Sequence, residues 1–429
     1  MNRDALTLKA KKFLAIQSLF YTLANSIEAL VPFLLAPLLT RMLDPTAYGV
    51  WVLFVTYATF MRPVVGLTTQ DAIRMRFYDF DQGRLDRFTH TALFVMSALA
   101  VVTSIMCVVF DEVISAATQF PQGWLTSIVL AAFLYEVFYT ALALQQFHNR
   151  RGAFLSTQVL QAGLSITFIL LFLLAGWGWR GVVLGRMLSM AVATLYSLKL
   201  LGFTIPALLR IPQRSFYRDI ASFGFIYWPA GAVIMVVATT DKVIAAHYLG
   251  LEASAIYGVA ALFASAFWMV NYSFVLAWTP WLFRKLKSGN ARSMREIASV
   301  SALYFMISSI AALVFYLAAI FVAPIILGDD FHSAISLMHY IMAAIVLQGY
   351  FVHNMKFLHF DKRIRLMSGL SMITIALNIW LSIEWVQTWG VRGIMLATVV
   401  SFGAAFIISS CLVLARWMPS EKQGKVAHG

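Results

Sequence analysis

The chain has 429 residues, of which 61% are hydrophobic and 12% charged, and its mean hydropathy is +0.80. Soluble domains carry about a quarter charged residues, so this composition excludes a soluble globular protein. The net charge of +13 does not point to nucleic acid, because the basic residues are scattered between apolar runs and form no arm or tail. Repeated apolar runs of about 20 residues must satisfy their backbone hydrogen bonds within lipid, and without barrel-type alternation they predict helices.

Twelve spans are expected, at 13–39, 49–66, 88–110, 124–147, 154–176 and 181–202, then 220–242, 255–280, 298–323, 334–358, 366–387 and 393–415. The expected fold is all-α, a polytopic membrane protein of twelve transmembrane helices in two six-helix lobes around a central cavity. Its parts are a cytoplasmic N-terminus (1–12), an N-lobe (13–202), a cytoplasmic linker (203–219), a C-lobe (220–415) and a cytoplasmic tail (416–429).

The basic N-terminus (Arg3, Lys9, Lys11, Lys12) followed by an apolar run resembles a signal peptide. Span one is longer than a signal core and lacks a cleavage context, so it is expected to stay on the chain. It carries Gln17, Tyr21, Asn25 and Glu28, which at about 100° per residue fall within roughly 80° of one another. A polar stripe at the depth of lipid tails must face protein or trapped water. Tyr21 and Asn25 are therefore cavity candidates. Glu28 is a candidate for coupling a proton or cation, or else a structural carboxyl bonded to a hydroxyl. The elbow Leu43-Asp44-Pro45-Thr46-Ala47-Tyr48-Gly49 closes the span.

Arg62, followed by Pro63, lies about 20 Å into span two by rise per residue. It either snorkels to the inner headgroups or binds an anionic group in two-point geometry. Cys107 in span three and Cys411 in the last span are expected to be buried small apolar side chains, with no metal spacing or disulfide framework. Glu136 in span four, beside Tyr135 and near Tyr139, is the second mid-membrane carboxylate and ion-coupling candidate. Arg186 lies about 8 Å inside the outer end of span six, where outward snorkelling competes with a ligand role.

In the second half, Asp241-Lys242 is expected to end span seven as a topology anchor or gate latch. Span eight presents Trp268, Tyr272 and Ala277-Trp278-Thr279-Pro280-Trp281, a pattern of interfacial aromatics. Mid-span Asn271 either lines the cavity or bridges two helices. His339, Gln348 and His353 run along span ten. His353 is a candidate proton relay, against the simpler reading of a histidine bonded to a neighbour. No phosphate loop, metal cluster or nucleophile constellation is present, so no enzymatic activity, metal or cofactor is expected.

Charge tests the topology. With the N-terminus in the cytoplasm, the 32 Lys and Arg residues fall on inner segments except Arg41, Arg180, Lys242 and Arg392 in outer loops and Arg62 and Arg186 within spans. Both termini are then cytoplasmic by the positive-inside rule, and a misplaced span would break the alternation. The inner basic loops also attract anionic membrane lipid. The halves resemble each other: Tyr48-Gly49-Val50 recurs as Tyr257-Gly258-Val259, Trp179-Arg180-Gly181-Val182 as Val391-Arg392-Gly393-Ile394, and His148-Asn149-Arg150-Arg151 as Phe360-Asp361-Lys362-Arg363. Nearly constant offsets at the same topological positions indicate two parallel repeats, an arrangement of alternating-access carriers.

Span one with Leu39-Thr40-Arg41-Met42-Leu43-Asp44-Pro45-Thr46-Ala47-Tyr48-Gly49 resembles the start of bacterial polysaccharide-biosynthesis flippases of the multidrug, oligosaccharidyl-lipid and polysaccharide exporter superfamily. Asp241-Lys242-Val243-Ile244, Leu249-Gly250-Leu251, Ile256-Tyr257-Gly258-Val259 and Ala277-Trp278-Thr279-Pro280 extend the resemblance over nearly the whole chain. It implies a flippase that moves an undecaprenyl-diphosphate-linked oligosaccharide across the bacterial inner membrane for O-antigen, capsule or exopolysaccharide assembly. The implied partners are that glycan, membrane lipids, a polymerase and a chain-length regulator, with proton or sodium coupling. Arg62 is the best-placed residue to face the diphosphate. Twelve spans rather than fourteen weigh against the lipid-II branch. The alternatives are a cation-coupled multidrug exporter of the same fold and a non-transporting scaffold of a glycan-assembly complex.

Overall fold

A computed structural model describes residues 3–67, 69–203 and 214–417. Most of the expected linker (204–213) and tail (418–429), and the side chain of Gln17, lie outside the described residues. The described chain is helical, with no strand among the described residues, and divides into two compact units, Met1–Ala232 and Val233–Gly429.

The first unit contains α1 (Arg3–Met42), α2 (Pro45–Gly66), α3 (Thr69–Arg76), α4 (Gln82–Val109), α5 (Asp111–Thr118), α6 (Leu125–Phe147), α7 (Arg151–Leu174) and α8 (Gly178–Leu201). Helix α9 (Arg214–Leu249) follows. The second unit continues with α10 (Leu251–Ser288), α11 (Ala291–Ile326), a 3-10 segment (Asp329–Leu337), α12 (Met338–Phe360), α13 (Ile364–Trp389) and α14 (Val391–Trp417). Among the described residues ten helices are long and apolar enough to cross a membrane. Expected spans one and seven fall on α1 and α9, whose side chains are described only in part.

The local signals act as helix boundaries. The Asp44 carboxylate accepts from the Ala47 amide at 2.9 Å and Pro45 occupies the first turn, where its missing N–H costs nothing. The elbow read from sequence is thus the cap of α2. Asn290 caps α11 in the same way, accepting from the Ser293 amide at 2.7 Å. Most helices run past the expected spans, because polar end residues continue the backbone ladder into the headgroup region. Helix α9 continues past its expected end at 242, to Leu249. Asp241 and Lys242 therefore sit about 12 Å inside the helix, not at its end.

Packing separates central helices from lipid-facing ones. In α6, 67% of the most apolar stretch is buried, against 17% in α11. A polar residue on α6 is therefore held against protein. In the first unit α2 packs on α6 and α8, α1 packs on α7, and α7 and α8 form a hairpin. Cys107 is buried as expected, but Cys411 is exposed. The buried face of α14 is Ala397, Ser401, Ala405 and Ser409, at intervals of four, and Cys411 lies off that row.

Outside the spans, Arg76 at the end of α3 makes paired hydrogen bonds to Asp219 near the start of α9, Nε to Oδ2 at 3.0 Å and Nη2 to Oδ1 at 2.7 Å. These bonds hold the guanidinium above its ordinary pKa. Arg76 thus does more than add positive charge to its connection.

Candidate functional site

The polar residues of the first unit converge on a cavity of about 410 Å³ walled by α1, α2, α6 and α8. Its lining is Asn25, Glu28 and Pro32 from α1, Thr59 and Arg62 from α2, Tyr135 and Tyr139 from α6, and Arg186 from α8. Each helix delivers its groups from one face: Asn25 and Glu28 are three residues apart, and Tyr135 and Tyr139 four. Pro32 and Pro63 follow Glu28 and Thr59 by four residues. Lacking N–H groups, they deprive those carbonyls of their i+4 donors and leave polar backbone at the cavity wall.

Two arginine–carboxylate pairs dominate. Arg62 Nε donates to Glu136 Oε1 at 2.8 Å, with the side chains 22% and 8% exposed. Arg186 Nη2 lies 3.2 Å from Glu28 Oε1, with the side chains 11% and 12% exposed. Tyr139 joins the pairs: its hydroxyl donates to Glu28 Oε2 at 2.8 Å, and its ring centroid lies 4.7 Å from the Arg62 guanidinium carbon. Arg186 also donates through Nε to the Tyr135 hydroxyl at 2.8 Å and through Nη1 to Ser165 Oγ at 2.9 Å. Ser165 in turn meets Ser189 at 2.8 Å. The result is one continuous network in which a planar donor faces each carboxylate.

Gly66 sets part of this geometry. A Cβ there would stand 2.7 Å from Glu136 Oε2 and 2.8 Å from its Cδ and Cγ, so α2 and the Glu136 side chain can meet only at a residue without one.

The structure corrects several expectations. Arg186 does not snorkel outward; it turns into the unit, because Glu28, Tyr135 and Ser165 together replace its hydration. Arg62 likewise faces Glu136 rather than headgroups. Asn25 lines the cavity and accepts from Gln158 Nε2 at 3.0 Å. Tyr21 does not line it: the ring is buried with Phe138, Phe154 and Met190, and packs edge-on against Phe154.

The remaining candidates belong to the second unit. Asn271 is buried, takes a hydrogen bond from the Tyr304 hydroxyl and abuts Gly349, so it joins α10 to α11 and α12. His353 is fully buried, with its ring centroid 3.8 Å from that of Trp278 and 4.9 Å from that of Tyr304, and its Nε2 lies 3.0 Å from Ser301 Oγ. Asp241 Oδ2 accepts from the Tyr257 hydroxyl at 2.6 Å and from Thr398 at 2.8 Å. Asn378 donates to that same Thr398 at 3.1 Å.

The repeat offsets relate these arrangements. Arg62 and Asn271 are 209 residues apart, as are Tyr48 and Tyr257; Arg186 and Thr398 are 212 apart, as are Arg180 and Arg392. In each half the residue at the 186/398 position hydrogen-bonds to a carboxylate of that half's first helix. The first half has guanidinium at these two matched positions where the second has amide and hydroxyl. Ser165, Ser189 and Gln158 escaped the sequence reading. The spacing of Gln158, Gln161 and Ser165, at i, i+3 and i+7, is the helical signal that marks them.

Three solved structures define the fold. An inward-facing multidrug resistance MATE family transporter of the MOP superfamily aligns with a TM-score of 0.73 at 15% identity, covering 95% of this chain and 96% of that one. An outward-facing MATE transporter of the same superfamily aligns at 0.54 and 17% identity, covering 94% and 93%. The lipid II flippase MurJ in an inward closed conformation aligns at 0.67 and 12% identity, covering 93% and 87%. No curated protein sequence matches. The chain therefore has the helical fold that these structures share. Residues 15–286 match the family described as polysaccharide biosynthesis protein, and the chain belongs to that family.

Proposed function

We propose that this protein is a flippase that carries an undecaprenyl-diphosphate-linked oligosaccharide across the bacterial inner membrane by alternating access, for O-antigen, capsule or exopolysaccharide assembly. The observation that carries this reading is the pair of guanidinium groups, Arg62 and Arg186, in one polar cavity of a polysaccharide biosynthesis family member. A glycan and two phosphates cannot cross hydrocarbon without a polar lining. Guanidinium offers a phosphate two parallel donors, and the low dielectric around it strengthens the contact. Each guanidinium is already paired with a carboxylate, so the cavity is balanced before substrate enters. An arriving diphosphate competes with Glu28 and Glu136 for the same donors; Glu28 keeps its bond from the Tyr139 hydroxyl, and a displaced carboxylate takes up a proton. Headgroup binding is thereby linked to proton uptake. In this reading both termini are cytoplasmic, and a polymerase and a chain-length regulator take the product outside.

A second reading, a cation-coupled multidrug exporter, draws on Glu28 lining the cavity and on Glu136 paired with the cavity's Arg62. Deletion of the gene separates the two. The flippase reading expects loss of surface polymer and accumulation of the lipid-linked unit on the cytoplasmic leaflet, with Arg62→Ala and Arg186→Ala failing to restore it at normal protein level. Normal polymer with altered dye resistance would assign the protein to the exporters.

A further inference from the structure

A second concave site lies in the second unit, at the end opposite its basic connections. The turn from α9 to α10, the 3-10 segment and the turn from α13 to α14 meet around a cavity of about 790 Å³. That volume lies within the range of small-molecule sites, about 300–1,000 Å³. Its lining includes Glu252 in the first turn of α10, Ser333 and Ser336 of the 3-10 segment, Tyr340 in α12, Trp389 at the end of α13 and Arg392 in the first turn of α14. We propose that this cavity is a carbohydrate-binding vestibule that holds sugar rings of the translocated glycan at the outer face; it rests on the flippase reading above.

The chemistry fits sugars. Trp389 is 53% exposed, so its indole presents a face for the C–H groups of a pyranose ring. Glu252 and Arg392 are both exposed, and neither has an ion-pair partner among the described residues. A carboxylate and a guanidinium each offer planar two-point hydrogen bonding, which suits neighbouring sugar hydroxyls. Tyr340, Ser333 and Ser336 add hydroxyls around the wall.

The supports are stiff. A single residue, Gly390, joins α13 to α14 in a φ of +58°, and its amide bonds to the Val386 carbonyl at 3.0 Å. Trp389 and Arg392 thus project from helix ends on either side of a one-residue turn rather than from a loop, so little order remains to be lost on binding. Aromatic and basic residues at helix ends also serve as interfacial anchors. An anchor requires neither concavity nor a carboxylate lining the same cavity as the arginine, and this site has both.

The test uses the full-length protein in nanodiscs and the free oligosaccharide released by mild acid from the host's own lipid-linked pool, with maltotriose as the non-cognate control. Calorimetry or saturation-transfer NMR should show the oligosaccharide binding to wild type. Affinity should fall about tenfold or more in Trp389→Ala and in the Glu252→Gln/Arg392→Ala pair, with thermal unfolding unchanged. Absence of binding to wild type, or equal binding by the variants, overturns the vestibule. A parallel complementation assay of the deletion strain keeps the two readings apart. Complementation by wild type without glycan binding removes the vestibule and leaves the flippase, whereas normal polymer in the deletion strain removes the flippase reading and the vestibule's part in translocation with it.

Discussion

Replacing Arg186 by Met tests whether the cavity network is held by paired charges. Arg186 is 11% exposed and contacts Glu28, Tyr135 and Ser165 at 3.2, 2.8 and 2.9 Å. Methionine keeps most of the packing volume but leaves Glu28, 12% exposed, with the Tyr139 hydroxyl and no cation. Breaking one side of a buried pair costs about 3–5 kcal/mol, because the remaining charge stays desolvated. The Arg186→Met/Glu28→Gln double variant removes both charges and should recover most of that loss, since replacing a whole buried pair is often neutral. The coupling between the two substitutions should then reach about 2 kcal/mol. Equilibrium unfolding in mixed SDS micelles, followed by tryptophan fluorescence, measures all four corners of the cycle. A single-variant cost below about 1 kcal/mol, or losses that simply add, would refute the argument.

Three further outcomes are expected. Asp219→Ala breaks the paired bonds to Arg76, but those side chains are 29% and 36% exposed, so the cost in the same assay should be only about 0–1 kcal/mol; a loss as large as that of Arg186→Met would contradict the role given to burial. Gly66→Val should push Glu136 from Arg62 and lower stability by about 1–3 kcal/mol from overpacking, and complementation of surface polymer should fall with it. Wild-type transport by this variant would show that the Arg62–Glu136 contact is dispensable. Asp241→Ala should cost about 1–3 kcal/mol for each buried hydroxyl left without its acceptor, Tyr257 before Thr398, because Thr398 also bonds to the Ile394 carbonyl. Asp241→Asn keeps an acceptor oxygen and should recover part of the loss, which unfolding of the two variants compares directly.

Length, hydropathy and repeat spacing were enough to show an all-helical membrane protein whose halves correspond. Lipid explains why: apolar runs of a set length have one stable backbone solution, and it is written locally. The elbow at Asp44 was legible because Asp-Pro marks a helix start, and the burial of Glu28 and Glu136 because a charged residue deep in a span must find protein. Partnership was not legible. Arg186 stands close enough to a span end to snorkel, and only the packing of α1 on α7, which pairs with α8, brings Glu28 within reach of its guanidinium. Tyr21 shares a helical face with Asn25 and Glu28, yet an intervening turn of α1 sets it against Phe154.

Asn271, His353 and Asp241 show the same divide. Their residue types and depth mark each as unusual, but whether such a group meets substrate or another helix depends on neighbours 16 to 157 residues away. The sequence by itself determined that polar groups lie buried in the membrane spans, because composition and helical period fix depth and face. Only the tertiary structure decided that two arginines and two carboxylates of the first unit neutralise one another around a single cavity. Ion pairing falls off over a few ångströms, and distances of that order between α1, α2, α6 and α8 are set by packing, not by any one segment's sequence.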